Sequence, residues 1–125
     1  MKENDIATEI LAKAFAIHTA LGPGLLESVY ERALYFDLVE SGLTVQAQLP
    51  VPMVYKDINF ESGFRLDLLV EDKVIVEIKA IETLAPVHFA QTLTYLKLSD
   101  KRLGLLINFN VKWLKNGVHR VVNNL

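Results

Sequence analysis

The chain has 125 residues, a length that suits one domain, and it is 51% hydrophobic, enough for a real core. The absence of cysteine excludes disulfides, thiolate metal sites and cysteine nucleophiles, and fits a reducing compartment. A formal net charge of −2 argues against tight binding of duplex DNA through phosphate contacts alone, so a nucleic-acid role must rest on a local patch, a bound cation or a partner chain.

No window reaches the ~18 apolar residues of a membrane span. The opening Met1-Lys2-Glu3-Asn4-Asp5 is polar and acidic, which argues against a signal peptide. A cytoplasmic protein with no membrane contact is the expectation. Asn4 or Asp5 is a candidate cap for a first helix, along which Ile6, Ile10, Leu11, Ala14, Ile17 and Leu21 recur at helical spacing. Gly22-Pro23-Gly24 breaks it. A second helix is predicted from about Leu25 to Ser41, with Leu26, Val29, Tyr30, Ala33, Leu34 and Leu38 on its apolar stripe and Gly42 at its C-terminal end.

Strand chemistry then takes over. Thr44 to Leu49 alternates, Val51 to Tyr55 is β-rich, and Lys56-Asp57 and Glu61-Ser62-Gly63 read as turns. Phe64 to Val70 and Val74 to Ala80 predict two strands around Glu71-Asp72-Lys73. Pro86 opens a third helix that runs to about Leu98. Leu103 to Phe109 reads as a buried strand, Lys115-Asn116-Gly117 as a turn, and Val118 to Val122 as a final strand. The order predicts a mixed sheet with helices on both faces.

Charged residues interrupt the most apolar part of this pattern: Asp67 in one strand, Glu77 and Lys79 in the next. Charges are rare in buried strands unless they are paired or bind a metal. A three-residue turn centred on Asp72 sets Asp67 directly opposite Glu77, with Cβ atoms about 4.5–5.5 Å apart. Alternation puts Arg65, Asp67, Leu69, Ile75, Glu77 and Lys79 on one face, and Leu66, Leu68, Val70, Val74, Val76 and Ile78 on a wholly apolar one. Two carboxylates so close repel unless something positive lies between them. Mg2+ or Mn2+ suits such oxygen ligands, and a bound metal can activate water and polarise a phosphoryl oxygen. The competing explanation is a solvated strand face with a Glu77–Lys79 or Arg65–Asp67 ion pair.

Asp67 followed by Glu77-Ile78-Lys79 on the next strand resembles the D…(D/E)xK core of the PD-(D/E)xK, or restriction-endonuclease-like, nuclease superfamily. Gly24-Leu25-Leu26-Glu27-Ser28-Val29-Tyr30 resembles the motif that names the GxxExxY protein family, a small branch of that superfamily. The likeness continues through Tyr55, Arg65 to Val70, Gln91 to Leu96 and Gly104 to Phe109, in the right order over nearly the whole chain. Leu66 stands where the motif name has proline.

The resemblance implies an α/β class, an α/β/α sandwich with a mixed central sheet of four core strands, and a single nuclease-like domain over residues 1–125. It implies that Asp67 and Glu77, with Glu27, hold Mg2+ or Mn2+, helped by the Ile78 carbonyl, and that Lys79 is the catalytic lysine. Gln91 and Tyr95 match the QxxxY element of RecB-like nucleases, which implies a supporting or substrate-binding role. A nucleic acid, DNA or RNA, is then the expected partner, and a homodimer or a partner protein would enlarge the binding surface.

Each residue also has a plainer explanation. Glu27 in the first turn of a helix is favourable against the helix dipole by roughly 0.3–1 kcal/mol, with Leu26 and Val29 supplying packing. His88, Gln91, Thr92 and Tyr95 share one helical face, which faces either solvent or the site. His88 is read as a local hydrogen-bonding residue and His18 as structural. Gly22-Pro23-Gly24 lacks the Lys-Ser/Thr of a P-loop and reads as a tight turn that aims the second helix. Lys97, Lys101 and Arg102, and Lys112, Lys115 and Arg120, are the basic clusters, with Trp113 placed either to stack on a base or to fill a core. Two functions follow: a nuclease using a metal-activated water, or a non-catalytic binding or assembly module that retains the nuclease fold.

Overall fold

A computed structural model describes residues 1–125. Helix α1 spans Glu3–Leu21 and helix α2 spans Glu27–Glu40. Strands β1 (Val45–Tyr55), β2 (Ile58–Val70) and β3 (Val74–Lys79) follow, then α3 (Pro86–Ser99), β4 (Leu103–Asn108), a 3-10 turn (Leu114–Asn116) and β5 (Val118–Val122). The strands form one mixed sheet in the order β1-β2-β3-β4-β5. Only β3 and β4 run parallel, because α3 provides the crossover that a parallel pair requires.

The sheet is the middle layer of an α/β/α sandwich. One face carries Leu68, Val70, Val74, Val76, Ile78, Leu103, Leu105 and Ile107, packed with the buried stripes of α1 and α2. The other carries Leu66, Leu69 and Ile75 against Leu96 of α3. Helix α3 lies close to the sheet because Gly104 has no side chain: a Cβ there would sit 2.9 Å from the Thr92 methyl.

The predicted final strand forms β5, which pairs with β4 along its full length and brings the sheet to five strands. Several expectations need correction. Residues 44–49 and 51–55 belong to one strand, and Pro50 and Pro52 are tolerated because β1 is an edge strand with no neighbour on its other side. Glu61-Ser62-Gly63 is a bulge inside β2, where the register shifts between Val51 and Met53 of β1. Lys2, not Asn4 or Asp5, caps α1, and its amide donates to Asp5 Oδ2 at 3.3 Å. Leu21, Leu26 and Val29 are exposed, so they do not supply the packing expected of them. Both faces of the β2–β3 hairpin are dry near its turn, where a wholly apolar face opposite a chemical one was expected. Leu66 packs with Leu69 and Ile75, opposite to the side that alternation gives it.

The turn between α1 and α2 is set by Tyr30. Its buried hydroxyl donates to the Gly22 carbonyl at 2.6 Å and accepts from the Leu25 amide at 3.1 Å, and its ring stacks on Phe109 at 4.6 Å. Gly22 and Gly24 take φ of +70° and +99°, the region that favours glycine. The tyrosine therefore fixes how the chain enters α2, and so where Glu27 stands. Tyr30→Phe keeps the ring and removes both hydrogen bonds, one of them to a carbonyl in a tight turn. It should cost about 1–3 kcal/mol in denaturant unfolding; an unchanged midpoint would mean that the loop is held by other contacts.

Candidate active site

Strands β2 and β3 pair through Val70–Val74, Leu69–Ile75 and Leu68–Val76, around the three-residue turn that the sequence predicts. One more step would set Asp67 opposite Glu77. The backbone ladder stops there instead, and Asp67 Oδ2 accepts from the Ile78 amide at 2.9 Å. A side-chain carboxylate thus takes the place of a backbone carbonyl in the plane of the sheet. The same position is irregular on the other side of β2. Gln48 of β1, which the register would pair with Asp67, has φ +49° and leaves the ladder. Its side-chain Nε2 donates to Glu31 Oε1 at 2.7 Å and more weakly to Asp67 Oδ1 at 3.4 Å. This double irregularity explains why Leu66 changes face.

Glu77 is 5% exposed, and its Oε1 is buried with no hydrogen-bond partner. Burial first, and the Asp67 charge second, push its carboxyl up from 4.5 to about 9. Lys79 ends β3, and Asn108 opposite it binds the chain beyond: its Oδ1 accepts from the Ile81 amide at 3.1 Å and its Nδ2 donates to the Ile81 carbonyl at 2.9 Å. Neither a Glu77–Lys79 nor an Arg65–Asp67 ion pair forms; the salt bridge of this chain joins Lys101 to Asp72 near the hairpin turn. The explanation of the charges as a solvated, ion-paired strand face is therefore not what is found.

Helix α2 brings Glu27 to the same end of the sheet. Burial raises its carboxyl above the ordinary value; Lys79 opposes the shift, Asp67 adds to it, and the Ala80 amide opposes it. Glu31, one turn further along α2, is raised by burial and then by the Asp67 charge. From α3, the Tyr95 hydroxyl is raised by burial first and by the Glu77 charge second, while nearby Gln91 opposes the shift. Its ring stacks on Phe64 at 4.6 Å. The other two polar residues of that face do not join. His88 Nδ1 accepts from the Ala85 amide at 2.9 Å as a helix cap, and Thr92 is buried with its hydroxyl donating to the His88 carbonyl. His18 is structural, with Nε2 bonded to the Val111 carbonyl at 2.8 Å.

The group is thus Glu27, Glu31 and Glu77, each sensing Asp67, with Lys79 near Glu27 and Glu77, Gln48 bonded to Glu31 and Asp67, and Tyr95 sensing Glu77. Glu31 and Gln48 were not anticipated. Glu31 lies four residues after Glu27, on the same helical face, and that spacing was the available signal. Nothing in the sequence marks Gln48.

No three Asp, Glu or His side chains are gathered tightly enough to hold a metal ion by themselves, so the expected ligand set of Glu27, Asp67 and Glu77 is not assembled as a triad. The Ile78 amide and Gln48 already engage the Asp67 oxygens. The chemistry of the donors still fits a hard divalent cation, which uses one or two carboxylates and keeps several waters. The partnerless Glu77 Oε1 is the observation that speaks for it.

The raised Glu77 carboxyl has a defined sign in stability. Below about 4.5 both folded and unfolded states are protonated. As pH rises from there to about 9 the unfolded chain ionises while the folded one does not, so the stability that the buried neutral acid confers is progressively lost. Metal-free protein should therefore melt at a lower temperature at pH 8.5 than at pH 5.5, and Glu77→Gln should flatten that slope and raise the melting temperature at pH 8.5. Parallel melting curves for the two proteins across this range would show that Glu77 is not held neutral.

Comparison with curated proteins gives no match, and neither does comparison with solved structures. A family model of the PD-(D/E)XK nuclease superfamily matches residues 4–121, from the first helix into the last strand. That span includes both strands of the acidic hairpin and the helices on either side of it, and the chain belongs to the PD-(D/E)XK nuclease superfamily.

Proposed function

We propose that this chain is a divalent-cation-dependent nuclease that hydrolyses phosphodiester bonds in nucleic acid, with residues 1–125 acting as one nuclease-like domain. The observation that carries the reading is the buried, partnerless Glu77 Oε1 beside Asp67, in a member of a nuclease superfamily. Asp67 and Glu77 would hold Mg2+ or Mn2+, with Glu27 or the Ile78 carbonyl completing the shell. When bound, such an ion polarises a phosphoryl oxygen and lowers the pKa of a coordinated water.

The side chains supply the rest. The half-buried Lys79 would orient the attacking water or balance the negative charge that develops on the phosphoryl oxygens. Glu27 and Glu31 supply negative charge on the α2 side, which favours a cation over a bare phosphate there. Gln91, exposed on α3 one turn before Tyr95, is suited to touch the substrate.

Purified protein is expected to cleave DNA or RNA in Mg2+ or Mn2+ and to stop in EDTA. Lys79→Ala and Asp67→Asn should each lower the rate by roughly 100-fold or more, the scale for losing one preorganised charge-stabilising group. Cleavage that survives EDTA or Lys79→Ala would refute the mechanism. Metal binding without cleavage of any strand would favour the non-catalytic binding or assembly module.

A further inference from the structure

A second feature is tied to the acidic group along the chain. The C-terminal end of α1 and the segment after β4 enclose an open cleft of about 670 Å³, lined among others by Phe15, His18, Pro23, Lys112, Trp113 and Lys115, with no acidic residue. Its volume falls in the ~300–1,000 Å³ range of ligand sites. Its walls are fixed from below. His18 is bonded to the Val111 carbonyl, Leu114 is buried, and the 3-10 turn closes with the Asn116 amide donating to the Trp113 carbonyl at 3.0 Å. On that fixed backbone the Trp113 indole is 60% exposed, with Lys112 Nζ at 5.4 Å from its ring centre.

The cleft joins the acidic group through two chain segments. Gly22 and Pro23 on its rim lead through the Tyr30-bound turn into Glu27. On the other side, Phe109, whose amide donates to the Lys79 carbonyl at 2.9 Å, leads to Lys112 and Trp113.

From this we infer that the cleft is a docking subsite for single-stranded nucleic acid, with one base stacked on Trp113 and the adjoining phosphates on Lys112 and Lys115. The ligand identity rests on the nuclease reading; the strandedness rests on the cleft. A flat exposed aromatic beside two cations matches an unstacked base and its phosphate, whereas duplex bases hide their faces in the stack. The two lysines also neutralise too few phosphates to hold a duplex on a chain of net charge −2. The negative end of the α1 dipole at the other rim directs the phosphates toward the lysines.

Trp113 is the only tryptophan, so its fluorescence reports this site alone. The wild-type chain in Mg2+ would be titrated with phosphorothioate-linked oligodeoxyuridylate, oligouridylate and a duplex of equal length, the linkages resisting cleavage. Saturable quenching by a single strand, at lower concentration than by duplex, is expected, and the more potent of the two strands identifies the sugar. With labelled strands, Trp113→Ala should weaken binding roughly tenfold or more, with Trp113→Phe restoring part. Lys112→Ala with Lys115→Ala should weaken binding and lessen its salt dependence. The inference is overturned by unquenched Trp113 in a strand-bound protein, by wild-type binding in these variants, by equal affinity for duplex, or by no binding at all. Quenching without cleavage of ordinary strands would keep the cleft and sink the nuclease; cleavage without quenching would do the reverse.

Discussion

The carboxylate of Asp67, inserted where β2 and β3 should continue their ladder, is the contact on which the rest of the site depends. By accepting the Ile78 amide it satisfies a backbone donor that would otherwise be stranded, at a point where the two strands part. Beside that point Glu77 is buried with one carboxyl oxygen unpartnered. Burying an acid with an unpartnered oxygen costs free energy, and the apolar hairpin beneath, covered on both faces, offsets that cost. The left-handed Gln48 across from Asp67 belongs to the same distortion. Strain of this kind gathers where a fold gives up regularity for a site.

Much of this was legible in the sequence, for reasons that can be named. The hairpin register followed from a three-residue turn at Glu71-Asp72-Lys73 and from the need to bury Leu68, Val70, Val74 and Val76 on one face. Pro86 marked the start of α3 because proline fits the first helical turn. Tyr30 was visible only as a letter of a motif; its work, tying Gly22 to Leu25 across the turn, depends on a contact eight residues apart that no periodicity reports. Face assignment failed at Leu66 because alternation assumes a regular strand, and glutamine is not a residue whose presence announces a positive φ. The merging of two predicted strands into β1 failed for a related reason: Pro50 and Pro52 break a central strand but not an edge, and edge position is a property of the whole sheet.

Charge, uninformative as a sum, becomes informative once sorted in space. The −2 of the whole chain conceals an uneven distribution: Glu27, Glu31 and Glu77 each feel the charge of Asp67, with Lys79 near Glu27 and Glu77, while a separate cleft is lined by Lys112 and Lys115 without an acid. A polyanion is repelled by the first and attracted by the second. On the proposed reading a strand would be held at the cleft and admitted at the acidic end, and admission would need that end to be neutralised.

That neutralisation links the parts. Metal-free, the acidic end relieves its own repulsion by keeping a proton on Glu77, which is why burial and Asp67 together raise that carboxyl so far. A divalent cation would have to displace the proton to reach the same oxygens, so on the proposed reading proton and cation compete, and cation affinity rises with pH. Each cation also lowers the barrier to a phosphate, and each phosphate raises the affinity for a cation, because the coupling between two ligands is reciprocal. Under the proposed linkage an acidic protein would act on an acidic polymer without a broadly basic surface: the positive charge would arrive with the ion, and Lys79 and the Trp113 cleft would have only to position the strand.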